Sequence, residues 1–336
     1  MDKRDILIQQ QTELLRRMTE RNLRSLTDDL WGAPPSSPSL SSTKSTTAPE
    51  PETAAFVQGA DKPQTAPESI EELKKELDGY IGLTIIKQEV NDLINLMTVW
   101  KLRREQDLPT ADLSLHMVFT GNPGTGKTMI ARLMARIYHA LGILNTGQLV
   151  EVDRGGLVAG YVGQTAAKTA EVIQKAIGGV LFIDEAYALS GKGENDYGQE
   201  AIETLLKAME DHRDELVVIV AGYTDEMSGF IRSNPGLESR FNRYLHFPDY
   251  SLEEMVAIFQ MRCEGSAYTL AEDAKPALWE RLKRETEGND TFGNARGVRN
   301  LFERVLVAQA NRLAVDEDIT REELMTLTAE DIQKAR

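Results

Sequence analysis

The chain has 336 residues, of which 41% are hydrophobic, and 53 acidic against 38 basic side chains give it a net charge of −15. A chain of this length can form two domains with packed cores, and its negative charge repels phosphate backbones, so nucleic acid is not expected as the main partner. The one cysteine, Cys263, cannot form an internal disulfide, and the four histidines form no cluster with the spacing of structural zinc ligands.

The first 68 residues differ in composition from the rest of the chain. Residues 3–26 predict a helix with leucines roughly on one side, and two interpretations stay open: a solvated stub, or a tethered docking helix for a partner. Residues 32–68 are rich in Pro, Ser and Thr, which favours a disordered linker. The start lacks the apolar core of a signal peptide, and no segment is apolar for long enough to cross a bilayer, so we expect a cytoplasmic protein.

Beyond residue 68, short apolar runs alternate with helical segments. The runs HMVFTG, LVEVD, GVLFIDEA, LVVIVAGY and YLHFPD have the length of buried strands. This alternation predicts an α/β domain at residues 69–248, with a parallel sheet covered by helices on both faces. After Pro248 the pattern becomes wholly helical, beginning with a capping box at Ser251 and Glu254, and it predicts a small all-helical domain at residues 249–336.

A glycine-rich turn joins the first predicted strand to the next helix. It reads GNPGTGKT and matches the P-loop pattern in the strand–loop–helix context that the pattern requires. Its glycines let backbone N–H groups point at phosphates, and the helix N-terminus favours negative charge. We expect Lys127 at the terminal phosphates and Thr128 as a ligand of Mg²⁺ in an ATP site. The predicted nucleotide contacts are the motif residues and the one after them: Gly121, Asn122, Pro123, Gly124, Thr125, Gly126, Lys127, Thr128 and Met129.

Two acidic residues follow the apolar run GVLFI. Asp184 stands at the expected strand tip, where a carboxylate can hold the Mg²⁺ of a bound nucleotide. Glu185 follows directly and is the expected base that orients the attacking water. Acidic residues at a strand end can be ordinary surface charges, but together with a P-loop they indicate nucleotide hydrolysis.

These motifs resemble the AAA+ superfamily of ATPases, and within it the group of stage V sporulation protein K and the red-type Rubisco activases. The resemblance extends from about residue 70 to the C-terminus. It implies an ATP-hydrolysing motor that forms a homo-oligomeric ring, expected to be a hexamer, and acts on a protein client. In GYIGL, Ile81 and Gly82 match the adenine-contacting segment, and the alternative for each is a turn beside a helix.

The resemblance also implies residues that act at the terminal phosphate. Thr224 stands where many relatives carry a phosphate-sensing asparagine, and its hydroxyl can donate a hydrogen bond. In SNPGLESRF, Arg240 is the expected finger that reaches the ATP of a neighbouring subunit, with Arg232 and Arg243 as alternatives.

A further arginine is expected to act from the second domain. In GNARGVRN, Arg296 matches the position that contacts the phosphates from the lid of such ATPases. Arg299 lies three residues on, nearly on the same helical face, and is the alternative.

The segment RGGLVAGYVGQT follows the strand LVEVD, where ring-forming relatives carry a central-pore loop. Tyr161, Val162 and Gly163 are therefore the expected contacts with a polypeptide substrate, and the tyrosine ring would grip it without reading its sequence. The alternative is a tyrosine buried under a turn. Two other functional classes stay open: a nucleic-acid motor or clamp loader on the same fold, and an ATP-switched scaffold that assembles without turnover.

Overall fold

The structure is a computed structural model that describes residues 68–335, apart from residues 112, 162, 192–195, 288–291 and 316–317. The predicted helix at residues 3–26 and the predicted linker, except for residue 68, lie outside the described residues. Within the described part of the chain, no helix is both long enough and apolar enough to cross a membrane.

Two helices precede the first strand. Helix α1 (Ile70–Gly79) begins with a capping box, in which Ser69 and Glu72 exchange side-chain and backbone hydrogen bonds. Helix α2 spans Thr84–Glu105. The short connection between the two helices lies close to the core, because its residues Tyr80 and Leu83 are buried.

The core of the fold is a five-stranded parallel sheet. Its strands are β1 (Met117–Gly121), β2 (Leu149–Val152), β3 (Val180–Ile183), β4 (Val217–Gly222) and β5 (Arg243–Phe247). Their order in the sheet is β2-β3-β4-β1-β5. Side chains alternate between the faces, so that neighbours in β1 such as Val118 and Phe119 enter two different hydrophobic clusters. The predicted parallel α/β architecture is confirmed.

Helical segments cover both faces of this sheet, and each connects two consecutive strands. Between β1 and β5 they are α3 (Lys127–Ala140), α4 (Arg154–Leu157), α5 (Thr165–Ala176), a 3₁₀ helix (Ala186–Ser190), α6 (Gly198–Asp211), α7 (Thr224–Arg232) and α8 (Pro235–Arg240).

The sheet register determines which segments meet at one edge. Thr120 pairs with Gly222, Gly121 with Phe247, and Ile183 with Val220. The segments that follow β1, β3, β4 and β5 therefore all begin at the carboxyl edge of the sheet, which is where ligands bind in open parallel sheets.

A second group of elements follows β5. It consists of α9 (Leu252–Gly265), β6 (Thr269–Leu270), α10 (Ala274–Thr286), α11 (Asn294–Leu313), α12 (Arg321–Met325), β7 (Thr326–Leu327) and α13 (Ala329–Lys334). Below we call this group the lid. The predicted capping box of Ser251 and Glu254 opens α9 as expected.

The lid is helical, as predicted, and the structure adds one short pair of strands. Strands β6 and β7 pair in parallel, with Thr269 opposite Thr326 and Leu270 opposite Leu327. Each strand has two residues, which is too short for a period of two to appear in the sequence. The fold of the lid is otherwise helical, with Phe259 and Phe302 in edge-to-face contact at 5.5 Å between ring centroids.

Candidate functional site

The P-loop forms a tight backbone turn between β1 and α3. Gly121, Gly124 and Gly126 have φ angles of 142°, 74° and 96°, and this region of backbone space strongly favours glycine. Thr125 is completely buried, and its hydroxyl donates to the carbonyl of Asn122 at 2.8 Å. The loop is thus a fixed concave turn, and the N–H groups of the first turn of α3 have no partner within the helix, as a phosphate site requires.

Lys127 is the first residue of α3, and its side chain folds back over the loop. The ammonium group donates to the carbonyls of Gly121 and Asn122, both at 2.8 Å. Burial lowers the pKa of Lys127 to about 8, while the charges of Asp184 and other nearby carboxylates act in the opposite direction. The ammonium group is therefore partly buried in the concave loop, with both a second cation and carboxylates nearby.

The two acidic residues predicted for hydrolysis follow β3 directly. The backbone N–H of Asp184 donates to the carbonyl of Val152 at 2.8 Å, which continues the pairing of β3 with β2. Glu185 has φ 48°, in the left-handed region, and its N–H donates to Oδ1 of Asp184 at 3.0 Å. Both side chains are exposed, so the two carboxylates face the solvent beside the P-loop.

The residues present fit a magnesium ion that is shared with nucleotide phosphates. Mg²⁺ usually keeps several waters and takes only one or two protein oxygen ligands in such sites. Thr128 stands in the first turn of α3, directly after Lys127. Asp184 is close enough for its charge to act on Lys127. Asp184 and Thr128 would hold the ion, and it would neutralise charge on the phosphate oxygens.

The segment between α1 and α2 lies against the start of α3 and the lid. A methyl group added to Gly126 would lie 3.3 Å from Cε of Met129, 3.5 Å from the hydroxyl of Tyr250 and 3.6 Å from Cδ1 of Leu83. A methyl group on Gly82, whose φ is 64°, would lie 2.4 Å from a carboxylate oxygen of Glu254. Ile81 is half-buried beside this contact, so the segment is part of a mostly apolar wall next to the P-loop.

Thr224 lies near the same edge of the sheet. It is two residues beyond β4, at the first position of α7, and its side chain is exposed. Because β4 lies between β1 and β3, Thr224 stands between the P-loop and the segment of Asp184 and Glu185.

Arg240 lies at the opposite edge of the sheet from the P-loop. Its carbonyl accepts a hydrogen bond from Ser114, three residues before β1, at 2.7 Å. Burial, followed by the charge of Arg240, lowers the pKa of the neighbouring His116 to about 4. Since β1 is five residues long, roughly 13 Å separate this edge from the carboxyl edge. Arg240 is therefore remote from the P-loop of its own chain.

The guanidinium of Arg240 is partly exposed and paired with a surface carboxylate. It donates to Glu210 at 2.9 Å, and the two side chains are 28% and 64% exposed. Its Nε is buried without a hydrogen-bond partner. An exposed pair of this kind contributes only about 0–1 kcal/mol, so Arg240 can exchange Glu210 for another anion at little cost.

The two alternatives to Arg240 differ in placement. Arg243 is the first residue of β5, and its Nε donates to the carbonyl of Ser114 at 3.2 Å. Its side chain therefore connects β5 to the segment before β1 within the same chain. Arg232 ends α7 and is exposed.

The lid brings one of its two candidate arginines to the P-loop. Arg296 is exposed in the first turn of α11, and its positive charge acts on Lys127. Arg299 instead forms a salt bridge with Glu303 at 3.0 Å, one turn further along the same helix. Arg296, and not Arg299, is therefore the candidate arginine whose charge acts on the P-loop lysine.

Three residues that sequence reasoning missed hold the lid against the P-loop. Asp249 accepts from the side-chain amide of Asn122 at 3.0 and 2.9 Å, and from that of Asn294 at 2.8 Å. Tyr250 is buried, and its hydroxyl donates to the carbonyl of Thr125 at 3.4 Å. Asp249 follows β5 at the carboxyl edge, so the rule that pointed to Asp184 could also have pointed to it.

The loop around Tyr161 projects into solvent between α4 and α5. The side chain of Tyr161 is 73% exposed, so the alternative of a tyrosine buried under a turn is wrong. A methyl group added to Gly160 or Gly163 would meet no atom within 4 Å, and Gly163 has φ 76°. Val162 lies outside the described residues. The base of the loop is fixed, because Thr165 is completely buried and its hydroxyl accepts from the N–H of Ala159 at 3.1 Å.

Two protein families match consecutive parts of the chain. Residues 117–249 match the AAA family, described as ATPases associated with various cellular activities, and residues 251–336 match the AAA lid domain. The first match contains the sheet and its P-loop, and the second contains the lid and Arg296.

Curated relatives are similar over most of the chain. A CfxQ homolog of Galdieria sulphuraria is 47% identical over 271 residues, which cover 80% of this chain and 88% of that protein. A chloroplastic ribulose bisphosphate carboxylase/oxygenase activase of Cyanidioschyzon merolae is 44% identical, covering 80% and 92%. Stage V sporulation protein K of Bacillus subtilis is 40% identical, covering 78% and 82%.

Solved structures share the fold at low sequence identity. The AAA domain of FIGL-1 superposes with a TM-score of 0.54 at 19% identity, covering 77% of this chain and 81% of that one. A RuvB mutant of Thermotoga maritima gives a TM-score of 0.52 at 20% identity, covering 77% and 71%. These two similarities concern the fold alone.

Proposed function

The chain belongs to the AAA family of ATPases, and on that premise we propose that it is a ring-forming motor that remodels a protein partner through the loop around Tyr161. Nucleotide binding and ATP hydrolysis follow from the family. The proposal adds the ring, a hexamer of identical subunits, the magnesium ion, the protein partner and the roles of single residues.

In the proposed reaction the P-loop holds the phosphates and Glu185 prepares the water. Lys127 contacts the terminal phosphates, and Thr224 donates a hydrogen bond to the terminal phosphate or to the water. Glu185 accepts a hydrogen bond from the water and aligns it with the bond that breaks, which matters more than full proton transfer in a loose transition state. The wall of Ile81, Gly82 and Met129 packs against the adenine.

The proposed site is completed by a second copy of the chain. Arg240 is remote from its own P-loop, exposes part of its guanidinium and is bound by a weak surface pair. A planar group that is always charged, offered to the phosphates of a neighbour, stabilises the charge that develops on the transferred phosphoryl group. A head-to-tail contact of this kind produces a ring when the rotation closes.

The exposure of Tyr161 is the observation that carries the remodelling proposal. A tyrosine that is 73% exposed on a glycine-flanked loop with a fixed base contributes nothing to the core. Its ring can grip a polypeptide by stacking and van der Waals contact without reading the sequence. A relative named as the activase of another enzyme supports a protein partner, and the net charge of −15 opposes nucleic acid.

Site-specific crosslinking tests this proposal. A photo-crosslinking phenylalanine analogue replaces Tyr161 in the Glu185→Gln variant, which should hold ATP without hydrolysing it, and native lysate is irradiated with ATP or with ADP. We expect adducts between position 161 and a second polypeptide species with ATP and much less with ADP. The matched control carries the analogue at Tyr244, which is 55% exposed on β5 and should give no ATP-dependent adduct with that species.

Adducts of position 161 that form equally with ATP and ADP, or only with copies of the same chain, would contradict the remodelling proposal. The companion variant Tyr161→Ala should retain its melting temperature and basal ATPase, because an exposed side chain away from special contacts changes stability by about 0.5 kcal/mol or less.

A further inference from the structure

The P-loop is fixed to the lid by a buried side-chain network. Asn294, the first residue of α11, is 5% exposed. Its amide nitrogen donates to Asp249 at 2.8 Å and to the carbonyl of Pro123 at 3.4 Å, and its amide oxygen accepts from the N–H of Tyr250 at 2.9 Å. Each polar atom of this side chain therefore has a partner, as a buried amide needs if it is to stabilise one arrangement.

Backbone contacts reinforce the same joint. The N–H of Ala295 donates to the carbonyl of Gly124 at 3.1 Å. A methyl group on Gly124 would lie 2.3 Å from the carbonyl oxygen of Gly293. The tip of the P-loop and the start of α11 are thus packed backbone against backbone, and a small displacement of one displaces the other.

Asn294 is also held in an unusual backbone conformation. Its φ of 54° lies in the left-handed region, which asparagine tolerates better than most residues, although at a cost that glycine avoids. The start of α11 therefore combines a strained backbone with a fully bonded side chain, a combination typical of sites that fix a functional geometry.

We propose, on the basis of the proposed roles of Lys127 and Arg296, that Asn294 held by Asp249 is a positioning residue of the ATPase. The pair fastens the first turn of α11 to the P-loop and so determines where Arg296 stands relative to the ATP phosphates. Asn294 does not touch the nucleotide and acts through Arg296, two residues further along the helix.

The electrostatics of the site agree with this role. Arg296 and Lys127 carry like charges, and Arg296 contributes to the lowered pKa of Lys127, after burial. Bringing two cations together is unfavourable, so other contacts must hold α11 in place. Phosphate groups between the two cations relieve the repulsion, and a fixed joint lets both cations contact the same phosphates without reordering the lid.

The test is a double-mutant cycle in the full chain, read as ATP affinity with a fluorescent ATP analogue and as KM and kcat. Asn294→Gly removes the amide while allowing the left-handed backbone, and Arg296→Ala removes the phosphate contact. Each change should weaken ATP binding roughly tenfold, since a hydrogen bond to a charged group is lost or misplaced. The double variant should bind ATP about as tightly as the single variant with the lower ATP affinity, because an Arg296 that is misplaced no longer contributes to binding.

Two outcomes would overturn this inference alone: wild-type ATP affinity in Asn294→Gly, or a double variant whose loss is the product of the two single losses, roughly a hundredfold. Normal ATP binding by Arg296→Ala would overturn both this inference and the proposed phosphate contact of Arg296. If one of the first two outcomes occurs while Lys127→Ala still loses ATP binding, the proposed phosphate site stands and only the positioning role of Asn294 fails. The two failures can therefore be told apart.

If Asn294→Gly folds poorly, the amide and the carboxylate of the Asn294–Asp249 pair can be exchanged between the two positions instead. Asn294→Asp places a second carboxylate against Asp249 and should impair ATP binding, because like charges at hydrogen-bond distance repel. Combining it with Asp249→Asn restores one amide–carboxylate pair and should recover ATP affinity and the dependence on Arg296. Failure of the exchanged pair to recover either property, in a protein that melts like the wild type, would contradict the positioning role.

Discussion

Replacing Gly124 with alanine perturbs the point where the P-loop touches the lid. Gly124 has φ 74°, and the added methyl group would lie 2.3 Å from the carbonyl oxygen of Gly293 and 2.9 Å from the backbone nitrogen of Arg296. All of these obstacles are backbone, so no flexible side chain can move aside. The P-loop or the start of α11 must shift.

The size of the effect follows from two contributions. An alanine in the left-handed region costs about 1–2 kcal/mol, and an extra methyl group in a packed contact costs about 1–3 kcal/mol. The free energy of the arrangement in which the P-loop touches the lid should therefore rise by at least about 2 kcal/mol. If ATP binds only that arrangement, a rise of about 2 kcal/mol lowers the apparent ATP affinity by up to about thirtyfold, and the full factor is reached once the arrangement is the minor state.

Gly229→Ala is the matched control for this change. Gly229 is exposed within α7, and an added methyl group would meet no atom within 4 Å. Alanine there should stabilise the protein by about 0.5–1 kcal/mol, because glycine is a poor helix former. Binding of a fluorescent ATP analogue and thermal melting of both variants give the comparison. Wild-type ATP affinity together with a wild-type melting temperature in Gly124→Ala would refute the contact between the P-loop and the lid.

Three further predictions concern single side chains. Lys127→Ala should lose ATP binding, whereas Glu185→Gln should bind ATP and lose hydrolysis; equal affinity in the first or rapid turnover in the second would contradict the assigned roles. Burial opposes the charge of Asp331, but hydrogen bonds from Arg312 and Thr328 outweigh it and lower its pKa. This carboxylate should stabilise the lid above its unfolded pKa, so the difference in melting temperature between wild type and Asp331→Asn should shrink below about pH 4; a constant difference would argue against it. Burial raises the pKa of Cys263 to about 12, so alkylation at pH 8 should be slow until the protein unfolds, and fast labelling of native protein would place the thiol elsewhere.

Much of the sheet could be predicted because its central strands are continuous, nearly apolar runs. Val180–Ile183 and Val217–Gly222 are buried on both faces, and such strands show a run of apolar residues in place of alternation. The P-loop was recognisable because its chemistry is local, within eight consecutive residues. Asp184 and Glu185 could be located for the same reason, at the end of a buried strand.

The contacts between distant segments could not be predicted. Asp249 and Asn294 are 45 residues apart, and no local pattern records that their side chains meet. The pairing of Arg240 with Glu210 depends on the packing of α8 against α6, which a single sequence does not encode as a motif. The choice between Arg296 and Arg299 also needed the structure, because both lie nearly on the same helical face and only their neighbours differ.

A mixing experiment shows whether ATP is hydrolysed at a site completed by Arg240 of a neighbouring copy. Arg240→Ala and Lys127→Ala should each be nearly inactive alone. In an equal mixture that assembles at random, about a quarter of the head-to-tail contacts should join an intact P-loop to an intact Arg240. The mixture should therefore regain about a quarter of the wild-type ATPase activity, and this activity should rise with protein concentration. A mixture as inactive as its components, although native mass spectrometry shows that the two variants assemble together, would contradict this role of Arg240.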